Sequence, residues 1–180
     1  MLIDPAISLA LAVTLAALFA ASAAHKLTDF QRAVAIVSAY RVAPSALAPI
    51  ISATVVAIEL VVAVGLLTPA FRDIAAIGAA GLLLVYATAI GVNLARGRRD
   101  IDCGCSFGAS GEHLTPVLIF RNFGLAIFAM MIAAPVGARS LGLFDIVSVA
   151  IFVLSAAALY LAFEGLRANA ARLYAAGGSR

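Results

Sequence analysis

The two cysteines of this chain are separated by a single glycine, in the segment Cys103-Gly104-Cys105. Two thiols at this spacing can close into a small disulfide ring, and Gly104 relieves part of the strain because it tolerates backbone angles that other residues do not. A strained and exposed disulfide is labile and oxidising. The pair therefore predicts thiol-disulfide exchange.

Charged residues elsewhere in the chain bear on the reactivity of this pair. The thiolate is the reactive form of cysteine, and nearby cations lower the thiol pKa. The candidate cations are Lys26, Arg121 and the basic stretch Arg96 to Arg99. The acids Asp100, Asp102 and Glu112 act in the opposite sense, so the sequence does not give the sign of the net shift.

The composition is that of a membrane protein. Apolar residues make up 64% of the 180 residues and charged residues 12%, against about 25% charged residues in soluble domains. The formal charge of +3 comes without a long Lys/Arg-rich block, which gives no support to nucleic-acid binding. Nearly all of the chain must therefore lie in the lipid bilayer.

Five apolar segments are long enough to cross the bilayer as helices, which needs about 17–25 residues. They are residues 6–27, 45–67, 71–94, 115–134 and 143–166. We therefore predict an all-α membrane protein in which residues 1–180 form a single transmembrane domain of five helices. The cysteine pair lies on the loop 95–114. A cleaved signal peptide is the competing interpretation of the first segment, but the terminus lacks the basic region typical of signals.

The segment between the first two spans is too polar to cross the bilayer. Thr28 and Gln31 have the spacing of a capping box, and apolar residues from Phe30 to Tyr40 recur on one helical face. This pattern predicts a short helix in the membrane interface. We expect it to end at Pro44, because the residue before a proline is disfavoured in the helical region.

Polar residues within the spans are candidates for the site. Glu59 lies well inside the second span, and an acid there must be protonated, paired or in contact with water. It is either functional or a structural contact between helices. Arg121, followed by Asn122, lies in the fourth span and needs an anion, a carbonyl or water. We expect Glu59 and Arg121 to face the interior of the bundle.

The order of the spans determines which ends meet. The ends of spans one, three and five and the beginnings of spans two and four lie on one side. His25 and Lys26 end the first span, where their side chains can snorkel to the headgroups. The predicted shared surface contains His25, Lys26, the amphipathic segment, the Cys103/Cys105 loop, Glu164 and Arg167, with Arg121 just below it.

These motifs together resemble the MauE family, the methylamine utilisation membrane proteins of the MauE/DoxX group. The resemblance depends on His25-Lys26, the turn from Tyr40 to Pro44, Glu59, the Cys103-Gly104-Cys105 loop followed by Phe107-Gly108, and the pair Arg121-Asn122. It covers about Leu15 to Asn122. The Cys-x-Cys loop combined with the Arg-Asn pair is its most specific part.

The resemblance implies a role in maturing the disulfide-rich small subunit of methylamine dehydrogenase. It also implies a thioredoxin-like partner of the MauD type and a four-helix core similar to vitamin K epoxide reductases. Catalysis would then belong to Cys103 and Cys105, with Lys26, His25, Arg121, Asn122 and Glu59 in supporting positions. The implied location is the bacterial inner membrane, with the Cys-x-Cys loop on the periplasmic face.

The distribution of basic residues opposes this orientation. If the cysteine loop faces the cytoplasm, nine basic residues lie on the cytoplasmic side and two, Arg72 and Arg139, on the other side. Cytoplasmic loops usually carry such an excess of Lys and Arg. We nevertheless expect the periplasmic placement, because a thiol site recruits cations to its own face and the cytosol keeps exposed cysteine pairs reduced.

The predicted activity is that of a thiol-disulfide oxidoreductase without a covalently bound cofactor. A quinone is the favoured electron acceptor, and removal of the electrons through the partner is the other route. Two alternatives remain open. Cys103, Cys105, His113 and Asp102 could bind a soft metal such as zinc or copper, or the protein could be a non-catalytic assembly factor whose disulfide only closes the loop.

Overall fold

The computed structural model describes residues 2–98, 101 and 114–177, with the side chains of residues 164, 167, 168 and 170–177 excepted. Cys103, Cys105 and His113 lie outside the described residues, and so do the side chains of Glu164 and Arg167. The structure therefore describes the scaffold on both sides of the cysteine loop.

The described chain is helical. The helices are α1 (Pro5–Thr28), α2 (Phe30–Tyr40), α3 (Ala48–Leu67), α4 (Arg72–Ala95), α5 (Pro116–Ile132) and α6 (Leu143–Gly177), with a short 3-10 helix at Ser45–Leu47 before α3. Within the described ranges, pairing of the strand type is confined to one bridge between Ile3 and Val136.

In the part of the chain that the structure describes, four helical segments are long and apolar enough to cross a membrane: α1, the 3-10 helix with α3, α4, and the first part of α6. The predicted class, a multi-pass α-helical membrane protein, is confirmed. Helix α5 has 17 residues, or about 26 Å at 1.5 Å per residue, which is at the lower limit for a span. Helix α6 continues to Gly177, well past the predicted end at residue 166.

The beginnings of α1 and α5 follow from their capping residues. Asp4 precedes Pro5 and accepts a hydrogen bond from the Ala6 amide at 2.8 Å, which satisfies one of the free amides of the first turn. Thr115 and Pro116 occupy the N-cap and the first position of α5, as predicted. Proline fits that position because its missing N–H has no helical partner there.

The prediction for α2 was wrong at both ends. Thr28 belongs to α1, and its hydroxyl donates to the His25 carbonyl at 2.8 Å. Asp29 is the N-cap instead, accepting from the Arg32 amide at 3.0 Å. The helix ends at Tyr40 because Arg41 adopts the left-handed conformation with φ of 47°, so Pro44 is not what terminates it.

Helices α1, α3, α4 and α5 form a four-membered ring, since α1 packs on α3, α3 on α4, α4 on α5 and α5 on α1. Its core contains the fully buried side chains of Phe19, Leu66, Leu83 and Ile132. Helix α6 packs on α1 outside this ring, and α2 lies against α3. The ring thus places the ends of α1 and α4 and the beginnings of α3 and α5 on the side that carries the cysteine loop.

Candidate functional site

Glu59 of α3 is the centre of a buried polar cluster. The residue is 0% exposed, and its carboxylate accepts from Lys26 Nζ at 2.7 and 3.0 Å. Its Oε1 also accepts from Ser22 Oγ at 3.0 Å and from the Tyr86 hydroxyl at 2.7 Å. Lys26 Nζ donates to Ser22 Oγ at 2.6 Å and lies 5.8 Å from the centre of the Tyr86 ring. The cluster joins α1, α3 and α4.

These contacts decide between the interpretations of Lys26 and Glu59. The prediction that Glu59 faces the interior is confirmed. Lys26 does not snorkel to the headgroups, because its side chain is 11% exposed and reaches into the bundle. A buried carboxylate without a partner is very unfavourable, so the attraction of Glu59 outweighs the hydration that Lys26 would gain at the interface.

Arg121 and Asn122 lie across a small cavity from this cluster. Arg121 Nη1 donates to the Tyr160 hydroxyl of α6 at 3.4 Å, and Asn122 is buried with its amide donating to the Leu118 carbonyl at 2.9 Å. Glu59, Arg121 and Asn122 all line a cavity of about 20 Å³. That volume is enough for one water molecule between Glu59 and Arg121.

The described residues that flank the cysteine loop are anchored in one apolar cluster. Ile101 and Leu114, 7% and 1% exposed, belong to a cluster with Tyr40 of α2, Ile90 of α4 and Leu118 of α5. Ile101 precedes Cys103 by two residues in the sequence. Both described ends of the loop therefore start from the same place, where α2, α4 and α5 meet.

The described part of the basic stretch lies beside the same cluster. Arg96 Nη1 donates to the Arg41 carbonyl, at the end of α2, at 3.3 Å. Arg98 Nη1 donates to Oδ1 of the buried Asn93 at 3.1 Å. These two guanidinium groups thus fasten the end of α4 to its surroundings in addition to carrying charge.

A larger cavity of about 170 Å³ lies beside the polar cluster, between α2, α3, α4 and the end of α1. His25 and Lys26 line it, together with Tyr86. The rest of its wall is largely apolar and is formed by Ile36, Val37, Tyr40, Ile51, Ser52, Val55, Val85, Ala89 and Ile90, among others. We call it the α2 cavity.

The structure brings together four of the five predicted supporting residues around Glu59. Lys26 contacts it directly, Arg121 and Asn122 share its small cavity, and His25 lines the adjoining α2 cavity. Sequence reasoning missed Ser22 and Tyr86. Ser22 precedes Lys26 by four residues, a spacing that places both on one helical face, whereas nothing in the sequence marks Tyr86.

Metal ligands are not gathered in the described part of the chain. Among those residues, no group of three His, Cys, Asp or Glu side chains could hold an ion. The predicted soft-metal set of Cys103, Cys105, His113 and Asp102 lies outside the described residues.

Comparison with known proteins gives one consistent result. Residues 4–136 match the family described as "Methylamine utilisation protein MauE". The chain is 37% identical to the methylamine utilization protein MauE of Paracoccus denitrificans over 132 residues, 73% of this chain and 71% of that protein. The MauE protein of Paracoccus versutus is 36% identical over 73% of this chain and 70% of its own length. That of Methylorubrum extorquens is 34% identical over 74% and 72%. No solved structure matches the chain.

Proposed function

Because this chain belongs to the MauE family, we propose that it is a membrane thiol-disulfide oxidoreductase of methylamine utilisation. Its Cys103/Cys105 pair exchanges disulfides with a thioredoxin-like protein of the MauD type. Through that partner it forms disulfides in the small subunit of methylamine dehydrogenase. The protein lies in the bacterial inner membrane with the cysteine loop on the periplasmic face.

The observation that carries this proposal is the anchoring of the loop. Ile101 and Leu114 hold its two ends in the cluster with Tyr40, Ile90 and Leu118. The cysteines therefore belong to a segment that begins and ends at the rim of the bundle. In this proposal the partner protein reaches the pair from the aqueous side.

The proposed exchange proceeds through a mixed disulfide. A thiolate of the partner attacks one sulfur of the Cys103–Cys105 disulfide, and the other sulfur leaves as a thiolate. The second partner thiol then attacks the mixed disulfide. The partner ends as a disulfide and this pair as a dithiol, after the transfer of two electrons and two protons.

The structure changes the role that we assign to Lys26. Its ammonium is paired with Glu59 at 2.7 Å, so its charge is largely compensated where it lies. Arg96 and Arg98, which donate to neutral oxygens, are then the stronger candidates for favouring a thiolate. We propose that Lys26 and Glu59 are positioning residues that fix α1 against α3, and that the four-helix ring is a core of the vitamin K epoxide reductase type.

A strain that makes methylamine dehydrogenase provides the test. We replace both cysteines by serine and count free thiols in the small subunit by alkylation and mass spectrometry. The account predicts normal amounts of the variant in the membrane, continued association with the partner and unpaired thiols in the small subunit.

If no free thiols are found in the small subunit from that strain, the result would favour an assembly factor, because such a protein acts without its own disulfide. Metal analysis of the purified wild-type protein addresses the remaining alternative. A soft metal bound at one per chain, and absent from the double serine variant, would contradict the redox assignment.

A further inference from the structure

The α2 cavity has the size of a single six-membered ring. Its volume is about 170 Å³, and an apolar protein cavity of about 150 Å³ is known to accommodate benzene. Its wall is mainly aliphatic, with contributions from Ile36, Val55 and Ile90.

One buried hydroxyl in the wall lacks a hydrogen-bond partner among the described residues. Ser52 of α3 is 1% exposed, lines the cavity, and its hydroxyl has no hydrogen-bond partner among the residues that the structure describes. A buried hydroxyl without a partner is unfavourable. A ligand with a carbonyl oxygen inside the cavity would satisfy it.

The charges around the cavity favour a neutral ligand. Lys26 is neutralised by Glu59 at 2.7 Å, and Asp29 caps α2 through the Arg32 amide at 3.0 Å. His25 and Arg32, which also line the cavity, have interactions of their own. A fatty acid or an anionic lipid headgroup would therefore have to displace Glu59 to pair with Lys26, whereas a carbonyl needs only a donor.

We propose that the α2 cavity binds the ring of a membrane quinone, with Ser52 donating a hydrogen bond to one of its carbonyl oxygens. The proposal concerns binding by the described residues alone. Nothing in the comparisons assigns a ligand to this cavity.

A redox role for this quinone rests on the proposed function. The reduced Cys103/Cys105 pair would give two electrons and two protons to the quinone, so that two S–H bonds are replaced by one S–S bond. Two O–H bonds form and a quinol leaves. The cluster that anchors Ile101 also contains Tyr40 and Ile90, which line the cavity, so the loop starts at the wall of the proposed site.

Binding is measured with the full chain carrying C103S and C105S, because free thiols add covalently to quinones. Equilibrium dialysis of this protein in lipid nanodiscs against ubiquinone-1 is expected to show one saturable site per chain. Ser52→Ala removes the proposed donor and should weaken binding about threefold to tenfold, the range for one hydrogen bond. Ala89→Phe fills the cavity and should abolish binding.

Two matched variants serve as controls. Ser8 is equally buried and its hydroxyl likewise lacks a partner among the described residues, but it does not line the cavity. Ala53 is exposed on α3 beside Ser52 and outside the cavity. Ser8→Ala and Ala53→Phe should therefore bind ubiquinone-1 like the parent protein.

The proposal is overturned if Ser52→Ala and Ala89→Phe both bind ubiquinone-1 like the controls. It is also overturned if oleate at equal concentration displaces the quinone and binds equally well to the parent protein and to Ser52→Ala. The cavity would then be a site for an acyl chain. These results leave the thiol relay intact, since the protein measured has no thiols. Conversely, normal binding in a wild-type protein that cannot reduce ubiquinone-1 would count against electron transfer from the cysteine pair to this quinone and leave the cavity assignment standing.

Discussion

At the scale of single residues, the carboxylate of Glu59 accepts hydrogen bonds from three side chains on two other helices. Lys26, Ser22 and Tyr86 all contact its carboxylate. An ion pair in a membrane interior loses the hydration of both partners, so its net contribution to stability is small even though each partner depends strongly on the other. The pair therefore contributes mainly to specificity, by fixing which faces of α1, α3 and α4 meet.

This dependence gives a prediction for Lys26→Met and Glu59→Gln. Each single change leaves one buried group without its counter-charge and should lower the free energy of unfolding by about 3–5 kcal/mol. The double variant should lose clearly less than the sum of the single losses, because the glutamine can still accept from Ser22 and Tyr86. Chemical denaturation in detergent measures all three. Additive losses would show that the two groups are not coupled.

The sequence identified Glu59 and Arg121 as interior residues because an ionised group is too costly to place in lipid. It could not identify Tyr86 or Ser52. A tyrosine or serine in an apolar span can face the lipid, the interior of the bundle or the membrane interface, and only the packing of the helices decides among these positions. The mistaken interpretation of Lys26 has the same origin, since a lysine near a helix end can extend in either direction.

At the scale of helices, α3 and α4 are in close contact at Gly65. A Cβ atom built on Gly65 would lie 2.7 Å from Ala75 Cβ, so that the absence of a side chain allows the contact. Small residues at such crossings are typical of membrane helices, whose association depends on close packing. At Gly81 of α4, in contrast, an added Cβ atom would have no neighbour within 4 Å among the described residues.

Gly65→Ala is therefore expected to separate α3 from α4 and to destabilise the protein by about 1–3 kcal/mol, as overpacking does. Gly81→Ala is the matched control and should be neutral or stabilising by up to about 1 kcal/mol, because alanine is the better helix former. Thermal unfolding in detergent compares the two. Equal stability of both variants would contradict the close approach.

Hydropathy is informative for the long helices because a span must cover a fixed thickness of hydrocarbon. The bounds of α2 depend on local hydrogen bonds, and there the sequence allowed competing solutions. Thr28 and Asp29 are both acceptable N-caps, and Asp29 prevails because α1 continues through Thr28. The left-handed conformation of Arg41 is unusual for a residue with a side chain, which is why Pro44 was the more obvious place to end the helix.

At the scale of the whole molecule, the end opposite the cysteine loop is held by ion pairs. Arg139, between α5 and α6, contacts Asp4 at 2.8 Å and Asp145 at 2.7 Å. The hydrogen bonds from Arg139 hold the pKa of Asp4 below its ordinary value of 3.8, and the hydrogen bonds that Arg139 donates to Asp145 and Asp4 raise the pKa of Arg139. This contact ties the beginning of α1 to the segment that leads into α6.

Because the pKa of Asp4 is lowered in the folded protein, its stabilisation is present above pH 3.8 and is lost as the pH falls through the lowered pKa. Arg139→Gln should remove it at neutral pH and reduce the hydrogen-exchange protection of the first turn of α1. Arg72→Gln, at the same end of the bundle, is the control, since Arg72 bonds to the Leu66 carbonyl instead. Unchanged protection in Arg139→Gln would assign the anchoring of α1 to apolar packing alone.

The up-and-down order of the helices was predictable from the spans, and it gathers the expected ends on one side. The orientation of the whole protein is a different matter. The basic residues of the cysteine side favour the cytoplasm, while thiol chemistry favours the periplasm. The first argument depends on the basic residues and the second on the cysteines, and the two point in opposite directions.

The central claim is that a partner protein exchanges thiols with Cys103 and Cys105, and trapping tests it most directly. Each cysteine is replaced singly by serine, so that a mixed disulfide formed by the remaining thiol cannot be resolved within this chain. Non-reducing electrophoresis of membranes from cells that produce the methylamine dehydrogenase subunits should reveal an adduct with a periplasmic thioredoxin-like protein, sensitive to reductant, from at least one variant. The absence of an adduct from both variants, at normal levels of each in the membrane, would contradict the account.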